Sequence, residues 1–296
     1  MRKRLYFKGI LCLLFMSFSC NFSLKTQNAK AEEAVAHSKA ECVIELESGA
    51  ILHAKNSDTT LPMASTTKIL TAITVLECCK DLAYEISIPK EAVGIEGSSV
   101  YLQQGEKYTI LDLLYGLMLR SGNDCAIALA LYVGGTVASF CAKMNYIAQK
   151  AGALNSNFEN PHGLPNSKHY TTARDLSYIT RYALKNKIFA QIVSTGYYEP
   201  QGWKNKNKML ASYEGCIGVK TGYTKQAGRC LVSAARRDGK TLICTVLNCP
   251  SMYERSAELL DKGFYRVNPR KILNNLEYNS ENGCFFQGIY INYNRK

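Results

Sequence analysis

The stretch GCIGVKTGYTKQAGRCLVSAARRDGKTLICTVLN, residues 215–248, decides the fold of this chain. Three runs within it, 215–224, 228–237 and 240–248, have the length and apolar composition of strands. The dipeptide Asp238-Gly239 separates the last two runs and is a strong hairpin signal. The stretch therefore predicts three consecutive strands in one sheet.

Segments on both sides of this stretch complete the pattern. ECVIELESGAILHAKN (41–56) predicts two strands around a turn at Glu47-Ser48-Gly49, and STTKILTAITVLECC (65–79) predicts a helix. Apolar spacings of three and four predict helices from about 108 to 190, and 252–265 predicts a closing helix. This order predicts an α+β fold whose mostly antiparallel sheet is built from both ends of the domain, with an inserted helical lobe. Without βαβ alternation or G-x-G-x-x-G, a dinucleotide-binding fold is not expected.

The N-terminal residues have the pattern of a secretory signal peptide. A basic segment, MRKRLYFKG, precedes the short apolar run ILCLLFMSFS, and small residues follow at Ala29 and Ala31. We therefore expect a signal peptide at 1–31, one main domain at 32–268 and a short C-terminal tail at 269–296 with no second domain. The apolar run is too short for an ordinary membrane span. Bulky Phe18 argues against lipid attachment at Cys20.

Composition narrows the class of protein further. The formal net charge of +12 falls to +6 without residues 1–31, because these carry six Lys or Arg and no acid. With no basic run interleaved with aromatics, nucleic acid is not expected as a partner. The four histidines and the absence of C-x-x-C give no metal-ligand spacing, so neither metal nor cofactor is expected. Most of the twelve cysteines lie in apolar runs and are expected to be free, buried thiols.

Three short motifs point to chemistry only when taken together. Ser65-Thr66-Thr67-Lys68 could simply start a helix, Ser121-Gly122-Asn123 could cap one, and Lys220-Thr221-Gly222 could be an exposed strand. In this order they match the S-x-x-K, S-D-N and K-T-G signature of penicillin-binding proteins and class A β-lactamases, with S-G-N as the middle element. Coincidence of all three is improbable.

The resemblance extends over residues 36 to 266, almost all of the main domain. Its longest segments are PMASTTKILTAITVLE, GSSVYLQQGEKYTILDLLYGLMLRSGNDCAIALA, NPHGLPNSKHYTTARDL and GVKTGYTKQAGRCLVSAARRDGKTLI. The chain resembles the D-alanyl-D-alanine carboxypeptidases, which are low-molecular-weight penicillin-binding proteins and in which S-G-N is the usual form. The resemblance implies an exported bacterial enzyme that removes the terminal D-alanine from peptidoglycan stem peptides and that β-lactams acylate. A β-lactamase and a non-catalytic penicillin or muropeptide sensor remain alternatives.

The residue types explain the chemistry of the first two motifs. A serine hydroxyl needs a nearby base, and residues three apart on a helix share a face, so Lys68 can accept the Ser65 proton if its pKa is lowered. Burial and the charge of Lys220 would both lower it. Ser121 is suited to relay a proton to the leaving amine, and Asn123 to hold Lys68 or the substrate amide.

The resemblance implies the remaining roles. The oxyanion would be held by the backbone N–H groups of Ser65 and Tyr223, and the substrate by Lys220, Thr221 and Gly222. Arg255 would steer the substrate carboxylate, although a solvated helix residue is an equal interpretation. His162 is expected to shape its loop rather than to act as a base. The tail lacks an amphipathic stripe, so no stable membrane anchor is expected after signal cleavage.

Overall fold

The computed structural model describes residues 38–268, and the expectations for residues 1–31 and 269–296 lie outside that range. The strands are β1 (Ala40–Glu45), β2 (Ile51–Lys55), β3 (Glu85–Ser87), β4 (Lys107–Thr109), β5 (Tyr197–Tyr198), β6 (Trp203–Lys204), β7 (Cys216–Thr224), β8 (Gly228–Arg237) and β9 (Lys240–Leu247). The helices are α1 (Lys68–Cys78), α2 (Ile110–Tyr115), α3 (Asn123–Gly134), α4 (Val137–Lys150), α5 (Ala173–Leu184), α6 (Lys187–Ser194), α7 (Met209–Ser212) and α8 (Met252–Val267). A 3₁₀ turn at Ala64–Thr67 leads into α1, and a π-helical turn at Gly116–Arg120 follows α2.

The central sheet joins the two ends of the described chain. Its strand order is β2-β1-β9-β8-β7, and every neighbouring pair is antiparallel. The N-terminal hairpin pairs with the C-terminal meander along β1 and β9, where Glu41 lies opposite Val246. Because the helices α1 to α7 all lie between these strands in sequence, the predicted sheet with an inserted helical lobe is confirmed.

Both faces of this sheet are buried. Along β9, Leu242, Cys244 and Val246 belong to the core cluster that packs under α8. Ile243 and Leu247 belong to the larger cluster that includes α1 and the helical lobe. Alternate residues therefore serve opposite faces, as the pleat of a strand requires. This two-sided burial explains why β9 is a continuous apolar run in the sequence.

Two short strand pairs could not be predicted from the periodicity of the sequence. β3 pairs with β4 and β5 with β6, each over only two or three residues. Strands of that length carry too few residues to show a period of two. The free thiols Cys42, Cys125, Cys141, Cys230 and Cys244 are buried, as expected, whereas Cys78 is exposed.

The helices of residues 38–268 were compared with the length and apolar character that a membrane span requires. No single helix there is long and apolar enough to cross a membrane. The helices α3 and α4 meet the length and composition criteria only as a pair, and they are bent by 87° relative to each other.

A buried ion pair fastens α8 to β1. Glu41 is fully buried, and its two carboxylate oxygens accept from Arg255 Nε at 2.8 Å and Nη2 at 2.9 Å. His53 and Ser38 also contact this carboxylate. Burial alone would raise the pKa of Glu41, but hydrogen bonds from His53, Arg255 and Ser38 outweigh burial and lower it. The pair therefore ties the first strand to the last helix.

Replacing Arg255 by Leu should destabilise the fold strongly. Removing one partner leaves the Glu41 charge buried without its guanidinium, which costs about 3–5 kcal/mol of unfolding free energy in urea titrations at neutral pH. The ionised carboxylate is favoured in the folded state, so its contribution exists above the unfolded pKa and fades as the pH falls. The difference in unfolding free energy between wild type and the variant should therefore become smaller as the pH falls.

Glu258→Gln is the matched control for this prediction. Glu258 is partly exposed and contacts Arg255 from the solvent side, so its loss should cost about 1 kcal/mol or less. Equal stability of the Arg255→Leu variant and wild type at neutral pH would contradict the structural role of the buried pair.

Candidate active site

Ser65 sits on a tight turn that begins α1. The turn is held by two side-chain bonds, from Thr66 Oγ1 to the carbonyl of Met63 at 2.6 Å and from Thr67 Oγ1 to that of Ala64 at 2.8 Å. Ala64 has a φ of +50°, which β-carbon-bearing residues rarely adopt. Ser65 itself remains partly accessible in the middle of these buried neighbours. The sequence therefore folds locally so that one hydroxyl is presented at the helix start.

Lys68 places its amine beside that hydroxyl. Its side chain is fully buried, and Nζ lies 3.0 Å from Ser65 Oγ, 2.7 Å from Asn123 Oδ1 and 2.7 Å from the carbonyl oxygen of His162. Burial first, and then the charge of Lys220, hold the pKa of Lys68 well below its usual value. A neutral amine donates its two N–H groups to the two carbonyl-type oxygens. Its lone pair is then left to face Ser65 Oγ.

Asn123 is fixed by the loop that precedes it in sequence. Its Nδ2 donates to the carbonyl of Glu96 at 2.5 Å, and its N–H donates to that of Ser98 at 2.7 Å. Asp124 reinforces this arrangement by accepting from the Val100 N–H at 2.9 Å. The S-G-N segment is thus anchored to loop 96–102, which fixes the amide oxygen that Lys68 binds.

Ser121 lies at a break between two helical segments. It is buried, adopts a left-handed φ of +65°, and follows directly after the π-helical turn Gly116–Arg120. Such π-helical turns occur frequently at functional sites. Ser121 lies two residues before Asn123, the first residue of α3.

The edge strand β7 carries the third motif against the nucleophile turn. A Cβ on Gly222 would come within 3.0 Å of the Ser65 nitrogen and 3.1 Å of the Met63 oxygen, so only glycine permits this approach. Lys220 is buried, and burial together with the charge of Lys206 lowers its pKa to about 7. Its Nζ donates to the carbonyl of Thr221 at 3.0 Å.

The other two residues of this strand are more accessible. Side chains alternate along a strand, so Lys220 and Gly222 point one way while Thr221 and Tyr223 point the other. Thr221 is partly exposed and Tyr223 is 64% exposed, with Arg229 over its ring at 5.8 Å. The structure therefore brings Lys68, Asn123 and Gly222 to the Ser65 turn, and Lys220, Thr221 and Tyr223 adjoin Gly222 on β7.

Arg255 has contacts elsewhere in the described structure, and its assignment to the substrate carboxylate stays a prediction. Its guanidinium is bound by Glu41 and Glu258 at the β1 side of the sheet. Three strand spacings separate β1 from β7, or about 14 Å. Sequence spacing placed an arginine at the start of the last helix. Sequence spacing could not show that the guanidinium of Arg255 is bound by the buried carboxylate of Glu41.

His162 shapes its loop, as expected. Its Nδ1 accepts from the Leu164 N–H at 3.1 Å, and its backbone carbonyl receives Lys68 Nζ. Burial first, then the charge of Lys68, lower the pKa of the ring to about 3. Gly163 follows with a φ of +91°, and a Cβ there would lie 1.9 Å from the Ala64 oxygen. The loop packs against the nucleophile turn through its backbone.

Two contributors to the site carry no recognisable sequence signal. The carbonyl of His162 is a backbone group, which any residue type would supply. Lys206 lies near Ser98, with Nζ 3.4 Å from its hydroxyl, yet in the sequence it is one lysine within KNKNK. Only the tertiary structure brings these groups to Ser65.

Comparisons with known proteins point to one family. A family model described as D-alanyl-D-alanine carboxypeptidase, Peptidase_S11, matches residues 26–251. The chain is 30% identical over 285 residues to D-alanyl-D-alanine carboxypeptidase DacF of Bacillus subtilis (strain 168), covering 90% of this chain and 73% of that protein. It is 39% identical over 242 residues to the D-alanyl-D-alanine carboxypeptidase of Streptomyces sp. (strain K15), covering 73% and 83%.

Solved structures show the same similarity. The crystal structure of the Streptomyces K15 DD-transpeptidase matches with a TM-score of 0.72 at 38% identity, over 77% of this chain and 97% of that one. D-alanyl-D-alanine carboxypeptidase DacD from Francisella tularensis matches with a TM-score of 0.69 at 29% identity, over 76% and 70%.

Substituting Gly222 by Ala should impair the site without unfolding the protein. The added Cβ would push β7 away from the nucleophile turn, and a displacement of about 1 Å at a reacting centre can cost about 100-fold in rate. The measurement is the second-order rate constant for acylation by a fluorescent penicillin.

Gly196→Ala is the control for this substitution. Gly196 is exposed, and a Cβ there meets nothing within 4 Å, so its acylation rate should stay at the wild-type value. A Gly222→Ala variant that reacts as fast as Gly196→Ala would show that the close approach is unimportant.

Proposed function

The chain belongs to the D-alanyl-D-alanine carboxypeptidase family, and from this premise we propose that it removes the terminal D-alanine from peptidoglycan stem peptides through an acyl-enzyme on Ser65. The observation that carries the proposal is the contact of the buried Lys68 amine with Ser65 Oγ at 3.0 Å. The lowered pKa of this amine favours the uncharged form, which can act as a base. The site of action would be extracytoplasmic, where such peptides occur, and β-lactams would acylate the same serine.

The first half of the proposed reaction is acyl transfer to the enzyme. Ser65 Oγ attacks the carbonyl carbon of the penultimate D-alanine while Lys68 takes the hydroxyl proton. Backbone N–H groups of Ser65 and Tyr223 hold the oxyanion. Collapse of the tetrahedral intermediate breaks the amide bond. A proton relayed through Ser121 then lets D-alanine leave as an amine.

The second half returns the serine. Water attacks the ester carbonyl, Lys68 accepts a proton from that water, and Ser65 recovers its hydroxyl as the shortened peptide leaves. Asn123 keeps Lys68 aligned in both halves through its bond at 2.7 Å. Thr221 and Lys220 line the strand along which the substrate would lie.

Transfer to an amine is the second candidate function. Of the two Streptomyces K15 proteins compared above, one is described as a carboxypeptidase and the other as a DD-transpeptidase. Both reactions use one acyl-enzyme and differ only in whether water or an amine attacks it. Adding a D-amino acid acceptor to the substrate assay measures the partition directly.

Release of D-alanine from a diacyl-L-Lys-D-Ala-D-Ala peptide tests the function. Wild type should release it, whereas Ser65→Ala should release none and should fail to bind a fluorescent penicillin covalently. Ser194→Ala removes an exposed hydroxyl on α6 and should behave as wild type. Peptide mapping should place the penicillin label on Ser65.

The alternatives predict different results in the same assay. A β-lactamase would turn over penicillin rapidly and release no D-alanine. A sensor would be labelled but would release none. A label mapped to another residue would refute the nucleophile assignment.

Lys68→Arg tests the base. A guanidinium stays charged at any working pH and cannot accept the Ser65 proton, so acylation should fall by about 10²–10⁴-fold. In wild type the lowered pKa of Lys68 keeps the amine neutral above that pKa. Acylation should therefore decline as acid protonates it.

Lys225→Arg supplies the matched control, because Lys225 is exposed in the turn between β7 and β8. It should retain wild-type acylation at every pH. Near-normal acylation by Lys68→Arg would remove Lys68 from the mechanism.

A further inference from the structure

His169 is a buried residue beside the turn that carries Ser65, and the proposed reaction does not use it. It is 4% exposed, and its ring meets the ring of buried Phe158 edge-on, with 5.7 Å between the ring centroids. Nε2 lies 2.9 Å from the hydroxyl oxygen of Thr67, and Nδ1 lies 3.0 Å from the backbone nitrogen of Glu159. Both ring nitrogens therefore have a partner within the protein.

These two contacts decide which ring nitrogen of His169 carries the proton. The Glu159 N–H donates to Nδ1, so Nδ1 is the nitrogen with the free lone pair. Burial outweighs the opposing charge of Glu159 and lowers the pKa of His169 to about 4, so the ring is neutral at neutral pH. A neutral imidazole whose Nδ1 accepts carries its proton on Nε2. Nε2 of His169 therefore donates to Thr67 Oγ1.

Thr67 extends this hydrogen bond to the nucleophile turn. Its hydroxyl has one proton, which it donates to the carbonyl of Ala64 at 2.8 Å, and a lone pair is left to accept from His169. Hydrogen bonds that follow one another in a buried site polarise and strengthen each other. The ring of His169 thus acts on the Ala64 carbonyl through the Thr67 hydroxyl.

The carbonyl of Ala64 belongs to the same peptide unit as the N–H of Ser65. This peptide is trans and therefore planar, so the N–H points away from the carbonyl and turns with it. The φ of +50° at Ala64 is unfavourable for a residue with a Cβ and persists only if surrounding contacts hold it. By fixing the Ala64 carbonyl, Thr67 also fixes the direction of the Ser65 N–H.

The surroundings leave the Thr67 hydroxyl dependent on His169. Thr67 is fully buried, so bulk water does not compete for its hydroxyl. The loop that supplies His169 also packs over it, because a Cβ on Gly163 would lie 2.9 Å from Thr67 Oγ1. Loss of the ring N–H would therefore leave a buried acceptor without its donor.

We propose that His169 is a positioning residue that, through Thr67, holds the Ala64–Ser65 peptide so that the Ser65 N–H faces the oxyanion. This inference rests on the proposed function, in which that N–H stabilises the negative charge on the substrate oxygen. His169 itself touches neither the substrate nor the Ser65 hydroxyl. Because the charge develops only in the transition state, the contribution of His169 belongs to the rate of acylation and not to binding.

Two substitutions of His169 separate this role from a merely structural one. Gln places its amide near the position of Nε2 and can donate to Thr67, whereas Asn places its amide near Nδ1 and keeps only the bond to Glu159. His169→Asn should lower the maximal rate of acylation by a fluorescent penicillin about 10–100-fold. The penicillin concentration at half-maximal rate should stay within about twofold of wild type. His169→Gln should retain most of the maximal rate.

A double substitution tests the path through Thr67. Thr67→Val removes the hydroxyl and should lower the maximal rate at least as much as His169→Asn. Adding His169→Asn to Thr67→Val should then change the rate less than about twofold, because both substitutions break the same chain of bonds. Thr74→Val is the matched control, since Thr74 is a buried threonine of α1 that donates to the carbonyl of Leu70 at 2.7 Å. It should keep wild-type acylation.

The results distinguish this inference from the proposed function. Wild-type acylation by His169→Asn, equal losses in His169→Asn and His169→Gln, or losses that multiply in the double variant would each overturn the role of His169. If circular dichroism shows that His169→Asn is unfolded, Thr67→Val against Thr67→Ser supplies the comparison, because serine keeps the hydroxyl. A wild-type protein that is acylated by penicillin but releases no D-alanine would overturn the proposed function and leave these acylation rates as the test of His169.

Discussion

The burial of the Lys68 amine among neutral oxygens is the constraint on which the rest of the structure depends. A charged ammonium is costly in a protein interior unless an opposite charge compensates it. The atoms that Nζ contacts are instead a hydroxyl, an amide oxygen and a backbone carbonyl. They favour the uncharged amine, which is the form that can act as a base. The proposed chemistry therefore depends on a lysine that the fold buries where its charged form is disfavoured.

The three oxygens come from separate segments, so tertiary packing has to hold them together. Ser65 lies in the turn before α1, Asn123 begins α3, and the His162 carbonyl belongs to a loop more than ninety residues along the chain from Lys68. β7 closes the site from the sheet, at a separation that Gly222 permits. The sheet can offer that edge strand because its other end is completed by the N-terminal hairpin and fastened to α8 through Glu41 and Arg255. The ion pair thus lies at the β1 side of the sheet and the active site at its β7 edge.

Much of the fold could be predicted from the sequence, because apolar periodicity and the order of the motifs can be read from the sequence directly. The meander 215–248, the helix after Ser65 and the helical lobe all follow from apolar spacing, and each is found where expected. The contact of Arg255 with Glu41 could not be predicted, because residue spacing does not reveal which strand a helix residue faces. Lys206 was missed because an exposed lysine in a loop has no local signature. Both depend on long-range packing, which three-residue motifs do not encode.

The packing around Ser65 also sets the base strength of Lys68. Burial first, and then the charges of Lys220 and Lys206, hold the pKa of Lys68 well below its usual value. Lys220 lies on β7, two residues before the Gly222 that packs against the Ser65 turn. Lys206 donates to the hydroxyl of Ser98, and the carbonyl of Ser98 accepts from the Asn123 N–H. The segments that position the nucleophile and the amide therefore also carry the charges that favour the neutral amine. The basicity of Lys68 is thus a property of the packed site and not of the lysine alone.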